Sequence, residues 1–317
     1  MKIRRALGRV KSEAKNVLRN LMKPVAAFPL SRRLLNAWYL TLTPAQKRHF
    51  HHEYANIFRE SSMHGGKGEW RVVFLGKTIV IPLTRERYWL DWALGVSVVG
   101  HEINVKETYE ALINSSERPE LFVDIGANYG THSLLFLVHE IKALSFEPNS
   151  SCRSYFKQLC EANHVTPNLE PVALGETEGY VELMYPKSDT WLGSTDVEAV
   201  KAMGLSQELV TEKVEQKRLD DYFSQIGTRR TLMKMDIEGN EMPVLRAALK
   251  ILRENRPKII FESCSDEQRV ELLEFFESER YVVCRLPWHP GDKADRLTRA
   301  QMTASSTSNF IALPISG

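Results

Sequence analysis

The chain has 317 residues, of which 43% are hydrophobic and 26% are charged. These fractions are typical of a globular protein and exclude a chain that is disordered throughout. The formal net charge of +2 gives no general reason to expect a nucleic-acid partner. The length predicts one large domain with an appended segment.

The cysteines and the apolar runs indicate the cellular compartment of the protein. Four cysteines are scattered without a Cys-x-x-Cys pair: Cys152, Cys160, Cys264 and Cys284. This pattern predicts reduced thiols and a cytoplasmic protein, with no metal site built on cysteine. No apolar run approaches the roughly 20 residues of a membrane span, and no secretory signal follows the basic N-terminus. Export and integral membrane insertion are therefore not expected.

Residues 1–65 are predicted to form a basic helical extension. The first 23 residues are rich in Lys and Arg and repeat apolar residues at helical spacing. Such a helix can make peripheral contact with anionic lipid, or it can pack its apolar stripe on the body of the protein. The sequence leaves both possibilities open and does not reveal the oligomeric state. Pro24 and Pro29 are expected to break this pattern, and a further helix is predicted over residues 34–58.

Residues 66–118 are predicted to form a β-hairpin and a helix ahead of the main domain. Two runs rich in β-branched and aromatic residues, 70–75 and 77–82, are joined across Gly76. This arrangement is typical of a hairpin. A helix is expected over residues 105–114, and the main domain is assigned to residues 119–317.

In the main domain, short apolar runs alternate with helical patterns. Strands are predicted over residues 121–125, 143–146, 171–174, 232–235 and 258–261, and helices over 129–140, 151–162, 241–254 and 266–278. The alternation predicts an α/β fold with a doubly wound parallel sheet covered on both faces. Two late runs, 281–286 and 309–313, have no helical pattern between them and predict an antiparallel pair at one edge of the sheet.

The strongest local signal is the turn that follows the first of these strands. There, Asp124 is followed by Gly126, Asn128 and Gly130, and then by a helix. In doubly wound sheets, ligands bind beyond the carboxyl ends of the strands, and glycines allow the backbone to approach them closely. Glu147 ends the next strand about twenty residues later, where a carboxylate can accept hydrogen bonds from ribose hydroxyls. The pattern predicts a ligand that contains a ribose.

The identity of this ligand depends on Asn128 and Asp124. Asn128 stands where the dinucleotide fingerprint has its second glycine, so the room for a pyrophosphate is missing. Asp124 suits a ligand with an ammonium group, and the following helix N-terminus can face a carboxylate. S-adenosylmethionine has these groups and no phosphate. These groups favour a protein that uses S-adenosylmethionine. Two other functions remain open, a nicotinamide-dependent oxidoreductase and a non-catalytic, membrane-associated binding protein.

Acidic residues follow two later strands. Asp236 and Glu238 come after the strand over 232–235, Glu241 lies on the first turn of the next helix, and Glu262 follows the strand over 258–261. The carboxyl ends of parallel strands meet at one sheet edge, so we expect these side chains beside the glycine turn. Catalytic roles in orienting the acceptor and accepting its proton are predicted. The alternative is that Glu241 caps its helix and Asp236 fixes the loop. Three carboxylates can also hold a divalent ion, but no histidine lies in this motif and no metal is predicted.

Six segments, in this order, resemble the motifs of FkbM-type S-adenosylmethionine-dependent methyltransferases. They are residues 124–130, 146–149, 173–175, 218–221, 234–241 and 261–262. The resemblance covers about residues 121–263 and implies a seven-stranded, Rossmann-like sheet and methyl transfer, generally to oxygen. It also implies that the cofactor is bound by Asp124, Gly126, Asn128, Gly130 and Glu147.

The acceptor is expected to be a hydroxyl on a sugar, a glycan or a secondary metabolite. Residues 184–215 form a long segment of a kind that varies within the family, so the resemblance does not define the acceptor pocket. One departure from the family is Asn240, which stands where a small residue is more usual. This departure leaves the neighbouring carboxylates of Glu238 and Glu241 in place.

Overall fold

The computed structural model describes residues 28–43, 45–47, 49, 68–83, 101–187, 193–195, 208–263 and 265–315, together with Val17. Contacts divide the chain into two compact units, Met1–Ile103 and Asn104–Gly317. Apart from Val17, the predicted basic helix over residues 1–23 lies outside the described residues. The predicted domain boundaries at residues 65 and 118 stay predictions.

The first unit contains a helix and a β-hairpin. Helix α1 (Pro29–Leu40) has Pro29 in its first turn, where the missing N–H is not needed and the fixed φ favours a helix start. The chain is extended at Phe28, which agrees with the expected break at Pro29, but the next helix begins at Pro29 rather than at residue 34 and ends at Leu40. Strands β1 (Gly68–Phe74) and β2 (Lys77–Leu83) pair antiparallel, which confirms the predicted hairpin.

A seven-stranded sheet forms the centre of the second unit. In spatial order its strands are β11 (Tyr281–Arg285), β12 (Asn309–Pro314), β10 (Lys258–Glu262), β9 (Thr231–Met235), β3 (Leu121–Ile125), β4 (Lys142–Phe146) and β5 (Asn168–Glu170). Strand β12 is antiparallel to both neighbours, and the pairs from β10 to β5 are parallel. The predicted α/β fold, its seven strands and its antiparallel edge are confirmed.

Helices alternate with these strands. They are α2 (Ile103–Ile113), α3 (Thr131–Leu137), α4 (Ser150–Ala162), α5 (Phe223–Ile226), α6 (Glu241–Arg246), α7 (Asp266–Ser278) and α8 (Arg299–Thr303). Every residue of β3 and β9 is buried, as expected for central strands of a parallel sheet covered on both faces. Among the described residues, no helix is both long and apolar enough to cross a membrane.

A second, three-stranded sheet was not predicted. Strand β6 (Ala173–Leu174) pairs with β8 (Leu209–Lys217), which also pairs with β7 (Gly179–Pro186). The predicted strand over residues 171–174 is therefore wrong as a member of the central sheet, whose edge strand is β5. Pro171 has no N–H to donate to a strand ladder, and the chain leaves the central sheet at this residue.

The predicted helix over residues 241–254 is interrupted. Helix α6 ends at Arg246, and after a turn the chain continues into a π-helical segment, Ile251–Asn255. The carboxylate of Asp220 accepts hydrogen bonds from the backbone N–H groups of Lys250 and Ile251, each at 3.0 Å. These contacts cap the second helical segment, because they satisfy N–H groups that the break leaves without helical partners.

Candidate active site

The glycine turn after β3 packs tightly against its neighbours. Gly126 has a φ of +78°, and a Cβ atom there would lie 2.0 Å from the carbonyl oxygen of Asp236. Gly130 has a φ of +76°, and a Cβ atom there would lie 2.1 Å from a ring carbon of Phe156. Both positions require glycine, because the backbone is left-handed and a side chain has no space.

The carboxylate of Glu147 is bound to this turn. Glu147 follows β4 and is buried, and its Oε2 accepts the N–H of Asn128 at 2.7 Å. Its Oε1 accepts the N–H of Asn149, also at 2.7 Å. Burial raises the pKa of Glu147 to about 7, although these two hydrogen bonds lower it. A carboxylate oxygen can accept two hydrogen bonds, so Glu147 can also accept a hydroxyl donor.

The side chain of Asp124 contacts helix α3. Its Oδ2 accepts the N–H of Ser133 at 3.1 Å and the hydroxyl of Ser133 at 2.6 Å. Burial raises the pKa of Asp124 to about 6, and the charge of Lys234 opposes this shift. These contacts hold the end of β3 against the first turn of α3. The predicted contact of Asp124 with an ammonium group stays a prediction.

Three carboxylates converge at the carboxyl ends of β9 and β10. One oxygen each from Asp236, Glu238 and Glu262 lies within 4.8 Å of the other two. Glu262 also accepts the hydroxyl of Ser308 at 2.7 Å. Burial raises the pKa of Glu238, and the charge of Asp236 raises it further. Oxygen donors of this kind can accept a proton from a hydroxyl or bind a divalent cation.

Glu241 makes different contacts. Its Oε1 accepts the backbone N–H of Ile237 at 3.1 Å and that of Gly239 at 3.5 Å. The amide of Gln268 donates to its Oε2. Glu241 is 1% exposed, and burial raises the pKa of its carboxyl to about 7. These contacts hold the loop between β9 and α6.

Lys234 lies beside the acidic residues of the site, and the sequence pattern assigned no role to it. Lys234 lies in β9 opposite Asp124 of β3, and its side chain is 4% exposed. Its Nζ lies 2.8 Å from Oδ2 of Asp236. Alternate residues of a strand point to the same face, so the two-residue spacing of Lys234 and Asp236 could have predicted their contact.

Asn240 connects the acidic loop to the second sheet. Its side-chain amide donates to Oγ1 of Thr195 at 2.8 Å. The neighbouring Ser194 exchanges two backbone hydrogen bonds with Met184 of β7. The residue that departs from the family pattern therefore joins the β7–β8 connection to the loop that carries Asp236 and Glu238.

The sheet order, the glycine turn and the buried acid after β4 are the features expected of an S-adenosylmethionine-dependent methyltransferase with a Rossmann-like fold. The sequence model of the FkbM methyltransferase domain matches residues 124–283, half of the chain. The chain belongs to the FkbM methyltransferase family. This membership confirms the resemblance and the cofactor, and it decides against the nicotinamide-dependent oxidoreductase.

Three relatives illustrate the range of similarity. "Methyltransferase 1" of Beauveria bassiana (strain ARSEF 2860) is 24% identical over 218 residues, which are 63% of this chain and 87% of that protein. The FkbM methyltransferase structure from Methylobacillus flagellatus KT is 16% identical with a TM-score of 0.39, covering 70% of this chain and 54% of that one. The SAM-dependent methyltransferase structure from Agrobacterium tumefaciens is 14% identical with a TM-score of 0.39, and the match covers 78% of this chain and 70% of that one. This chain thus spans about half of the Methylobacillus protein.

Proposed function

We propose that this methyltransferase methylates a hydroxyl oxygen on a sugar, a glycan or a secondary metabolite. The observation that carries the proposal is the convergence of Asp236, Glu238 and Glu262 at the sheet edge that holds the glycine turn. An alcohol must lose its proton when its oxygen gains a methyl group. A positioned carboxylate that accepts this proton accelerates such a reaction by roughly 10²–10⁴-fold.

The residues after β3 and β4 fit S-adenosylmethionine. Glu147 is a buried carboxylate that is held by the turn and retains capacity for hydroxyl donors such as those of a ribose. Gly126, Asn128 and Gly130 shape the turn, and Asp124 anchors it to α3. The bound cofactor supplies an electrophilic methyl group on a positively charged sulfur. We assign its binding to these five residues.

The acidic residues are proposed to act on the acceptor. Asp236 and Glu238 orient the hydroxyl and accept its proton, and Glu262 completes the polar surface around them. Glu241 is a positioning residue, since its oxygens bind the backbone of the loop. Alignment of the reactants is the larger contribution, worth on the order of 7–11 kcal/mol at best.

The proposed acceptor is a small molecule or a glycan, and no nucleic acid takes part. We place the reaction in the cytoplasm, because Cys152, Cys160 and Cys284 are free thiols. The acceptor surface includes the β9–α6 loop, and the contact between Asn240 and Thr195 supports a contribution from the β7–β8 connection.

Two measurements test this proposal. Calorimetry should detect binding of S-adenosylmethionine and S-adenosylhomocysteine but not of NAD. Incubation with methyl-labelled S-adenosylmethionine and a panel of sugars, glycans and phenols should place the label on oxygen, with amines as the comparison panel. Label on nitrogen or carbon alone would contradict the oxygen acceptor. Failure to bind S-adenosylhomocysteine at millimolar concentration would contradict the whole proposal.

A further inference from the structure

Charge is distributed unevenly along the chain. Residues 1–52 contain 12 Lys and Arg and one acidic residue, Glu13, whereas residues 53–317 contain 30 basic and 39 acidic residues. The first segment therefore has a formal charge of +11 and the remainder −9, although the total is only +2. An asymmetry of this size favours an anionic partner for the basic segment.

The helix described within this segment, α1, has an exposed apolar face. Leu30, Leu34 and Trp38 are four residues apart and share one side of the helix. They are 68%, 65% and 47% exposed, whereas Tyr39 on the opposite side is 4% exposed. Arg33 is exposed beside them. An apolar face bordered by basic residues is typical of a helix that lies in the bilayer interface, where tryptophan is enriched.

Exposed apolar side chains are concentrated in this part of the molecule. Among the described residues, nine large hydrophobic side chains are exposed, and six of them lie in the basic segment: Val17, Phe28, Leu30, Leu34, Trp38 and Leu40. The other three are Tyr180, Leu209 and Ile315. Scattered exposed hydrophobic residues are ordinary, but a concentration of them marks an interaction surface.

We propose that α1 docks this enzyme onto a membrane surface that contains anionic lipid. The apolar side chains of α1 enter the interface, and the positive charge of residues 1–52 is attracted to the anionic headgroups. A second copy of the chain fits less well, because two segments of charge +11 would repel each other. A nucleic acid matches the charge, but its phosphates offer no apolar surface to Leu30 and Leu34.

Vesicle flotation of the full-length protein tests the proposal. We expect the protein to float with phosphatidylcholine vesicles that contain phosphatidylserine, and to float less with phosphatidylcholine alone or at high salt. The double variant Leu34→Ser with Trp38→Ser should bind the mixed vesicles at least about tenfold more weakly, because it loses apolar area. The matched control is Tyr180→Ser, which removes an exposed ring outside the basic segment and should float like the wild type.

Calorimetry with S-adenosylhomocysteine should give the same affinity for all three proteins, which separates loss of docking from loss of folding. The proposal is overturned if the wild type does not float with the mixed vesicles. It is also overturned if the double variant floats like the wild type, since docking would then depend on other residues. Binding to a DNA duplex but not to vesicles, or a dimer that the double substitution converts to a monomer, would assign the surface to another occupant.

Discussion

The Nζ of Lys234 lies 2.8 Å from Oδ2 of Asp236, and Lys234 is opposite Asp124 on the neighbouring strand. The Lys234 side chain is 4% exposed and that of Asp236 is 26% exposed. One buried cation therefore faces both the acid that anchors the glycine turn and the acid proposed to act on the acceptor. The two halves of the candidate site share this charge, so its removal should affect both.

Lys234→Met should destabilise the fold. Breaking a buried ion pair on one side costs about 3–5 kcal/mol, and we expect somewhat less here because water reaches Asp236. Urea denaturation measures the loss. The matched control is Lys217→Met, which breaks an exposed pair with Glu215 at 3.5 Å and should change stability by about 0–1 kcal/mol. Equal losses in the two variants would show that the Lys234 pair contributes no more than a surface pair.

The same substitution should shift the pH dependence of methyl transfer. Lys234 lowers the pKa values of Asp124 and Glu238, so its removal should raise both. A base that must be deprotonated then becomes active at higher pH, and the rising limb of the turnover profile should move upward. An unchanged profile in a folded Lys234→Met variant would mean that neither group limits turnover.

Glu147→Ala should weaken binding of S-adenosylhomocysteine by about 1.5–3 kcal/mol, the typical contribution of hydrogen bonds to a charged group. Calorimetry at fixed pH measures the change. Glu170→Ala is the matched control, because Glu170 ends β5, the next strand of the same sheet, and is not among the residues assigned to the cofactor site. Wild-type affinity in the Glu147 variant would remove this residue from the site.

Stability without the cofactor should fall as the pH rises from about 4.5 to 7. Burial raises the pKa values of Glu147 and Glu241 to about 7 from an ordinary value of 4.5. Each group binds its proton more tightly in the folded state, so its stabilising effect is present below pH 4.5 and is lost as the pH approaches 7. The loss is on the order of 3 kcal/mol per group.

Denaturation of the wild type and of Glu241→Gln across this pH range measures the effect. The variant has no titrating group at residue 241, so its stability should fall less steeply. Glu279→Gln is a suitable control, because Arg253 lowers the pKa of Glu279 and its titration lies below this range. A wild-type stability that is constant or rises from pH 4.5 to 7 would contradict the expectation.

The sequence predicted the elements that have regular apolar patterns. The predicted bounds of α7 agree with the structure, since Ser265 accepts the N–H of Gln268 at its start and an apolar face follows. Strands β7 and β8 were missed because much of their surface is exposed and charged residues interrupt the apolar pattern. A strand with one face in solvent has a weaker apolar pattern in the sequence than a strand that is buried on both faces.

Topology predicted which residues meet at the site, but it did not predict their partners. Asp236 and Glu262 could be placed together because parallel strands end at one edge. The contacts of Asp124 with Ser133 and of Glu241 with Gln268 depend on how α3 and α7 pack against the sheet. Side-chain packing of this kind is not encoded in residue spacing.

Gly126→Ala should disrupt the cofactor turn. Two effects act at this residue, the strain of a positive φ and the close approach of the Asp236 carbonyl oxygen at 2.0 Å from the new Cβ. Gly76→Ala separates them, because Gly76 has nearly the same φ, +77°, and no atom within 4 Å of a Cβ. The control should lose about 1–2 kcal/mol from φ alone. Gly126→Ala should lose more and should no longer bind S-adenosylhomocysteine, and equal losses with intact binding would contradict this account.

Asp236→Asn should retain the affinity for S-adenosylhomocysteine and reduce turnover by roughly 10²–10⁴-fold, the contribution of a positioned base. The exposed control Asp292→Asn should keep wild-type turnover.

The same assay with EDTA distinguishes the two chemical uses of the acidic cluster. If the carboxylates accept a proton, chelation leaves turnover unchanged, as the absence of histidine from this motif predicts. If they hold a divalent ion, EDTA should abolish turnover and added Mg²⁺ or Ca²⁺ should restore it, which would replace the proposed base with a metal-assisted reaction.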